Sequence, residues 1–348
     1  MIAHIMILDK FIPPFIDFIE ENFDEKDHIF ILFSVKENKY GLKENSRIVW
    51  VYPDRNLIFF MRWLKFAQKL IFVNFLLYKS KKIIFHGLWD FYSIFLMLLQ
   101  PWLFKKCYWV MWGGDFYFPE EQPWWRKTAI RRIRHCVAFL ENDFEIIKTL
   151  YGGKNKKFYE CFMYPNSVKL SEASCYSEKN KNFVNLMIGN SATETNKHLE
   201  IFNLIKKYSN KNVKIFVPLS YGEESYKEFI IDKGKEIFGK NFIPITEYFD
   251  LDDYFNFIKK IDIAIFGSLR SQGLGNIISL LGMGKKVYLR RGTSQWKFFE
   301  KIKVKIFDIE NIDLEPMKKE DIFLNISNIK KYFSKENSVK NWKDIFES

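Results

Sequence analysis

The sequence predicts an α/β protein made of two Rossmann-like halves, and three observations carry that expectation. Short apolar runs rich in β-branched residues alternate with longer amphipathic runs, the pattern of a parallel sheet covered on both faces. Runs such as Lys82-Ile83-Ile84-Phe85 are almost continuously apolar, as strands buried on both sides are. The alternation stops in a polar, aperiodic stretch at 169–181 and then restarts. At 348 residues the chain has room for two domains, each with its own core.

The first half reads as strands at 4–8, 29–34, 48–52, 83–86, 108–112 and 137–140, with helical stretches between most of them. The second reads as strands at 183–188, 214–218, 242–246, 262–266, 286–289 and 303–307. Its helices are expected at 197–208, 224–238, 251–259, 276–283 and 294–301. The domain limits that follow are 1–170, a linker at 171–181, and 182–348, with the last helix free to return to the first domain. Ligands in such sheets bind outside the carboxyl ends of the strands, so two facing sheets place the site in a central cleft.

Composition narrows the classes further. Apolar residues are 48% of the chain and aromatic ones 18%, which excludes a disordered chain. Cys107, Cys136, Cys161 and Cys175 are scattered, with neither a disulfide framework nor metal-ligand spacing. The chain does not open with a basic start, an apolar run and a cleavage site. A reducing, cytoplasmic setting is expected. The net charge of +12 is local: between Arg55 and His135 fourteen basic residues stand against four acidic ones.

No apolar stretch is long enough to span a bilayer, because 83–104 is interrupted by His86, Asp90, Gln100 and Pro101. Association with a membrane surface is a separate matter. The stretch 57–78 has a helical period, with Arg62, Lys65 and Lys69 on one side. The stretch 123–137 opens with Pro123, Trp124 and Trp125 and lines up Trp125, Ala129, Ile133 and Val137 on one helical face. Arg126, Lys127, Arg131, Arg132 and Arg134 are spread over the rest. Tryptophan beside a basic face suits anionic lipid headgroups. Two core-packing helices with solvated basic faces are the plainer alternative.

Chemistry-bearing residues fall in loops between a strand and a helix. Gly189-Asn190-Ser191-Ala192-Thr193, followed by Asn196 and His198, offers free backbone N–H groups and a helix N-terminus that favour an anion, or serves simply as a cap. It has neither the dinucleotide glycine spacing nor a P-loop lysine. A second loop runs Gly267-Ser268-Leu269-Arg270-Ser271-Gln272-Gly273-Leu274-Gly275-Asn276. Its glycines allow close backbone approach and Arg270 brings a fork of donors suited to a diphosphate. A tight turn with positive φ at Gly273 and Gly275 is the alternative. Tyr221 and Glu247 end two further strands of this half.

In the first half, Trp112-Gly113-Gly114-Asp115 presents a carboxylate among aromatics, where apolar surroundings raise its pKa toward that of a useful base. Capping of a turn is the competing reading of Asp115. His86 ends a strand and is a candidate for the same cleft, or a structural histidine. No cluster has metal-ligand spacing, so a diphosphate here is met by helix N-termini and Arg270, with no metal and no cofactor.

Taken together, these blocks resemble glycosyltransferase family 56. They are Trp112-Gly113-Gly114-Asp115; Gly189 to Thr193 with Asn196 and His198; Pro218-Leu219-Ser220-Tyr221-Gly222; and Gln272 to Asn276 followed by Gly284-Lys285-Lys286-Val287-Tyr288. That is the dTDP-4-acetamido-4,6-dideoxygalactose (N-acetylfucosamine):lipid II transferase family of enterobacterial common antigen assembly. The resemblance implies a GT-B fold, two Rossmann-like domains facing each other across a central cleft. It implies transfer of a deoxyamino sugar from a thymidine diphosphate donor to a polyprenyl-diphosphate-linked saccharide, by a peripheral protein at the cytoplasmic face of the inner membrane.

The expected partners are therefore a nucleotide sugar, a lipid-linked glycan and an anionic membrane surface, with no nucleic acid. Gly189, Asn190, Ser191, Thr193, Asn196, His198, Tyr221, Glu247, Arg270, Gln272, Gly273, Gly275 and Asn276 are expected around the donor. In an inverting transfer Asp115 is the expected base, and in a retaining one it orients the acceptor. Two rival readings are a transferase acting on a soluble glycan and a polyanion- or nucleic-acid-binding protein.

Overall fold

The computed structural model describes residues 1–36, 40–43, 45–54, 56–153, 155–163 and 183–348. The chain divides into two compact units, Met1–Ser167 with Ser334–Ser348, and Val168–Phe333. The expected linker at 171–181 lies outside the described residues.

Among the described residues the first unit is built on seven strands: β1 (Ile2–Met6), β2 (His28–Leu32), β3 (Ile48–Trp50), β4 (Lys82–His86), β5 (Cys107–Val110), β6 (His135–Ala138) and β7 (Lys157–Glu160). Their order is β3-β2-β1-β4-β5-β6-β7, and every neighbouring pair is parallel. The central strands β1, β2 and β4 are buried from end to end, as suits their largely apolar runs. Helix α1 (Ile12–Asn22), which has a proline in its first turn, covers one face. Helices α2 (Phe59–Lys79), α3 (Phe91–Leu99), α4 (Trp124–Arg132) and α5 (Glu141–Tyr151) supply Phe66, Val73, Leu77, Ile94, Met97, Ile130 and Ile147 to the core on the other.

The second unit repeats the plan with β8 (Val184–Ile188), β9 (Val213–Pro218), β10 (Phe242–Ile245), β11 (Ile263–Phe266), β12 (Lys286–Leu289) and β13 (Phe307–Asp308), in the order β10-β9-β8-β11-β12-β13. These pairs are parallel as well. The helices are α6 (His198–Ile205), α7 (Glu224–Phe238), α8 (Leu251–Lys259), α9 (Leu274–Gly282), α10 (Ser294–Lys301) and α11 (Lys319–Tyr332). The last helix, α12 (Lys335–Glu347), belongs to the first unit, where Trp342 and Ile345 enter the core beside Met6, Phe15 and Phe30. Lys82 Nζ holds its end by donating to the carbonyl of Ile345 at 2.6 Å and to that of Ser348.

In each sheet the strand order reverses beside the unit's first strand, between β1 and β4 and between β8 and β11. Such reversals are where open α/β sheets leave a crevice for ligands.

Three local expectations are corrected. The helix expected over 123–137 ends at Arg132, because Lys156 Nζ takes up the Ile133 carbonyl at 2.6 Å and Val137 is claimed by β6. The strand expected over 303–307 shrinks to β13, because Lys303 adopts φ +56 and 303–304 turn back on α10 through Val304 N–H to Phe299 O, 2.9 Å. The strand β7 was not expected: its Lys-Phe-Tyr-Glu sequence is too polar and too exposed to stand out.

Candidate active site

The loops that leave β8 and β11, the two strands at the second unit's switch point, are knitted together. Gly189 begins the first loop at φ +67, and a Cβ there would lie 2.7 Å from His198 Nε2 and 3.0 Å from Asn196 Oδ1. Asn196 is buried and staples the loop. Its Oδ1 accepts from Asn190 N–H at 3.3 Å, and its Nδ2 donates to the Ser191 carbonyl at 2.8 Å and to the Ser191 and Thr193 hydroxyls at 3.0 Å.

The second loop docks on the first through Gln272. Its Nε2 donates to Asn190 Oδ1 at 3.1 Å and to Thr193 Oγ1 at 3.2 Å, while its Oε1 accepts from the Thr195 hydroxyl at 2.7 Å. Gln295 on α10 holds the Gln272 carbonyl from behind at 2.7 Å. Gly273 then caps α9 at φ +66, close enough that a Cβ would come within 3.2 Å of Asn190. Gly275 has no positive φ and lies in the first turn of α9. The first N–H groups of this helix have no intrahelical partner.

A third loop, after β9, crosses the first. Ala192 N–H donates to Tyr221 O at 2.7 Å, Glu223 N–H to Ala192 O at 2.8 Å, and the Tyr221 hydroxyl accepts from Asn190 Nδ2 at 2.9 Å. Burial pushes the Tyr221 phenol up, while bonds to Asn190 and Ser191 and the nearby Arg270 guanidinium pull it back. Arg270 is thus on the same side as Tyr221 and is half-buried. Asn276 lies against the phenol of Tyr254, whose pKa burial raises. Hydroxyls, helix N–H groups and one guanidinium therefore converge on one end of the sheet, a set of donors suited to a diphosphate.

One expected donor residue, His198, lies beneath the loop and not on its open side. His198 is buried under the Gly189 turn, with Nδ1 3.2 Å from the Tyr226 hydroxyl, and burial lowers its pKa to about 4. It stays neutral and supports the loop from below. Glu247 is exposed, beyond the end of β10.

In the first unit, Asp115 is wholly buried and serves the fold. Oδ2 accepts from the Trp109 indole at 2.7 Å and from Leu88 N–H at 3.2 Å, and Oδ1 accepts from Trp112 N–H at 3.1 Å. Burial still raises its pKa to about 6. A carboxylate so enclosed ties the ends of β4 and β5 together and is not presented to an acceptor hydroxyl, which corrects the expectation of a base. His86 is corrected likewise: it is buried beneath Phe15 and Trp342 with Nε2 3.1 Å from His4 Nδ1, and burial lowers its pKa to about 3.

A family model described as 4-alpha-L-fucosyltransferase glycosyl transferase group 56 matches residues 5–348. The chain belongs to this family. It is a glycosyltransferase. The group 56 chain is also similar, along nearly its whole length, to solved structures. A glycosyltransferase from Rickettsia africae ESF-5 is 13% identical with a TM-score of 0.67, over 99% of this chain and 97% of that one. An α,α-trehalose-phosphate synthase (UDP-forming) from Burkholderia vietnamiensis is 8% identical with a TM-score of 0.64, over 100% and 99%. The lipopolysaccharide outer core galactosyltransferase WaaB is 11% identical with a TM-score of 0.61, over 99% of both chains. At these identities the likeness establishes the fold, which is GT-B.

Sequence reasoning about the group 56 transferase missed Asp9. It follows β1 at the first unit's switch point, accepts from Phe11 N–H at 2.8 Å, and burial pushes its carboxyl up to about 6 although it is only half-buried. A lone Asp after a strand carries no signal of its own. On α4, Trp124, Arg131 and Arg132 are exposed, as is Arg134 just past its end; Trp125 and Lys127 are half-buried. Arg126 is corrected, because it turns inward: Nε donates to Leu88 O at 2.6 Å and the guanidinium lies 5.1 Å over the Trp89 ring. Among the described residues no group of three His, Cys, Asp or Glu side chains is placed to hold a metal ion.

Proposed function

We propose that this group 56 transferase moves a deoxyamino sugar of the N-acetylfucosamine kind from a thymidine diphosphate to a polyprenyl-diphosphate-linked saccharide, for a surface polysaccharide. The observation that carries the reading is the joining of the β8 and β11 loops at the switch point by Gln272 and Asn190. In this reading the second unit binds the donor. The Ser191 and Thr193 hydroxyls, the first-turn N–H groups of α9 and the Arg270 guanidinium receive the diphosphate. As the glycosidic bond breaks, charge grows on the departing diphosphate, and donors already fixed by the fold stabilise it at little reorganisation cost. No metal is required. Glu247, past β10, is kept for the nucleoside.

The first unit binds the acceptor, and the protein works as a peripheral protein at the cytoplasmic face of the inner membrane. In an inverting transfer a base takes the acceptor hydroxyl's proton as oxygen bonds the anomeric carbon. Asp9 suits that role better than Asp115, because it stands at a switch point, is partly open to solvent and has a raised carboxyl pKa.

A thermal-shift panel of dTDP, UDP, GDP and CMP in chelator tests the donor assignment, since only a nucleotide that binds the folded state raises its melting temperature. A rise with dTDP above the others is expected. A rise with GDP or CMP alone, or with none, overturns it.

A further inference from the structure

Helix α2 has two faces. Phe66, Val73 and Leu77 are buried in the core. On the opposite side Phe60, Leu64, Ile71, Phe75 and Tyr78, spaced as one stripe of an α-helix, face solvent, with Phe60 73%, Ile71 70% and Tyr78 65% exposed. An exposed apolar stripe this long is unusual on a soluble surface. Helix α3 packs on the core side of α2, where the Phe66 and Tyr92 rings meet at 5.0 Å, and against α4, where Phe91 meets Trp125 at 5.8 Å. Phe95 and Leu99 on α3, Trp102 after it and Trp124 on α4 are exposed too.

The charge carried by this stretch of chain has one sign. The chain holds no Asp or Glu between 56 and 89, while Lys65, Lys79 and Lys81 are exposed and Lys69 is half-buried. At 21 residues α2 is about 30 Å long, yet no helix among the described residues is long and apolar enough to cross a membrane. A helix with this length, this stripe and cations beside it lies in the plane of a bilayer surface, with rings among the acyl chains and lysines at the headgroups. A second copy on the same face would set like charges opposite each other.

We infer that the outer face of α2 docks this protein on an anionic lipid bilayer, with Phe60, Leu64, Ile71, Phe75 and Tyr78 inserted at the headgroup boundary. The inference deepens the membrane part of the proposed function and, of the two stretches the sequence offered, places the main lipid contact on α2 and not on α4.

Vesicle co-sedimentation tests it, with phosphatidylcholine–phosphatidylglycerol vesicles compared with phosphatidylcholine alone. The vesicles carry no saccharide lipid, so binding is scored apart from glycosyl transfer, which is followed separately on a detergent-solubilised acceptor. The full chain should bind the anionic vesicles more tightly and release with salt. The exposed double variant Ile71→Ser with Phe75→Ser should bind at least about tenfold more weakly while melting at the wild-type temperature. Lys65→Glu with Lys81→Glu should weaken binding to the anionic vesicles alone. Wild-type binding by Ile71→Ser with Phe75→Ser overturns the inference, and so does absence of vesicle binding, including the case of a dimer that the same variant dissociates.

Discussion

Gln272 donates its side-chain amide to the side-chain oxygen of Asn190 across 3.1 Å, joining loops that leave two neighbouring strands and are 82 residues apart in the chain. Through Thr193 and Thr195 the same glutamine holds the hydroxyls of the first loop in place. Gln272→Ala removes these bonds together. We expect the donor KM to rise about tenfold and stability to fall by about 1–3 kcal/mol, as for buried polar groups left without partners. Steady-state kinetics with a melting curve check both.

Asp115 is predicted to act through the fold. Asp115→Asn turns one acceptor oxygen into a donor facing the Trp109 indole, Leu88 N–H or Trp112 N–H. Stability should fall by about 2–3 kcal/mol, with dTDP binding by the remaining folded protein unchanged. A variant that melts like wild type but has lost turnover would return Asp115 to the chemistry.

Asp9→Asn should cut kcat by about 100-fold or more with little loss of donor binding, the scale expected on removal of a general base. The base works ionised, so wild-type kcat/KM should fall as pH drops through about 6, the value to which burial raises this carboxyl. A pH–rate profile reads this directly, and the Asn variant should lack that limb.

Stability should also fall on acidification. His86, His4 and His28 form a buried chain, with His4 Nδ1 3.1 Å from His86 Nε2 and His4 Nε2 2.9 Å from His28 Nδ1. A neutral His4 donates one way and accepts the other, so the chain is satisfied without charge and burial disfavours adding one. Burial lowers all three pKa values, His28 to about 4 and His86 to about 3, and that of His198 to about 4. The unfolded chain, titrating near 6.5, binds more protons below that pH, so stability is full above it and is lost as pH falls toward 4. Asp9 and Asp115, raised to about 6, act in the opposite direction, as do Glu20 and Asp90, also raised by burial; but His135 is lowered too, and all five histidines have unfolded pKa values inside the window from pH 7.5 to pH 5, whereas the unfolded carboxyls titrate below it. Melting temperatures from pH 7.5 to pH 5 should therefore decline.

The alternation of strands and helices was legible because each element is local, and so were the loops after β8 and β11, whose small residues and hydroxyls sit together in the chain. Sequence spacing does not show which way a side chain faces across a sheet. His86 reads as a strand-end residue until β1 and β2 bring His4 and His28 beside it. Asp115 reads as a candidate base or a turn cap after two glycines until the Trp109 indole folds back to meet it. The helix over 123–137 kept its period on paper, but pairing of β6 with β5 and β7 outweighed it. On α2 the pattern was visible, yet only packing reveals which of its two apolar faces the core uses.

The central claim is that the loops after β8 and β11 hold a diphosphate with N–H groups, hydroxyls and a guanidinium. Calorimetric titration of dTDP in chelator, into wild type and into Arg270→Ala, tests it most directly. The account predicts binding by wild type without metal and a Kd raised at least about tenfold in the variant, the loss of a charge-assisted bidentate contact. Equal affinities, or binding that appears only when a divalent cation is restored, would contradict it.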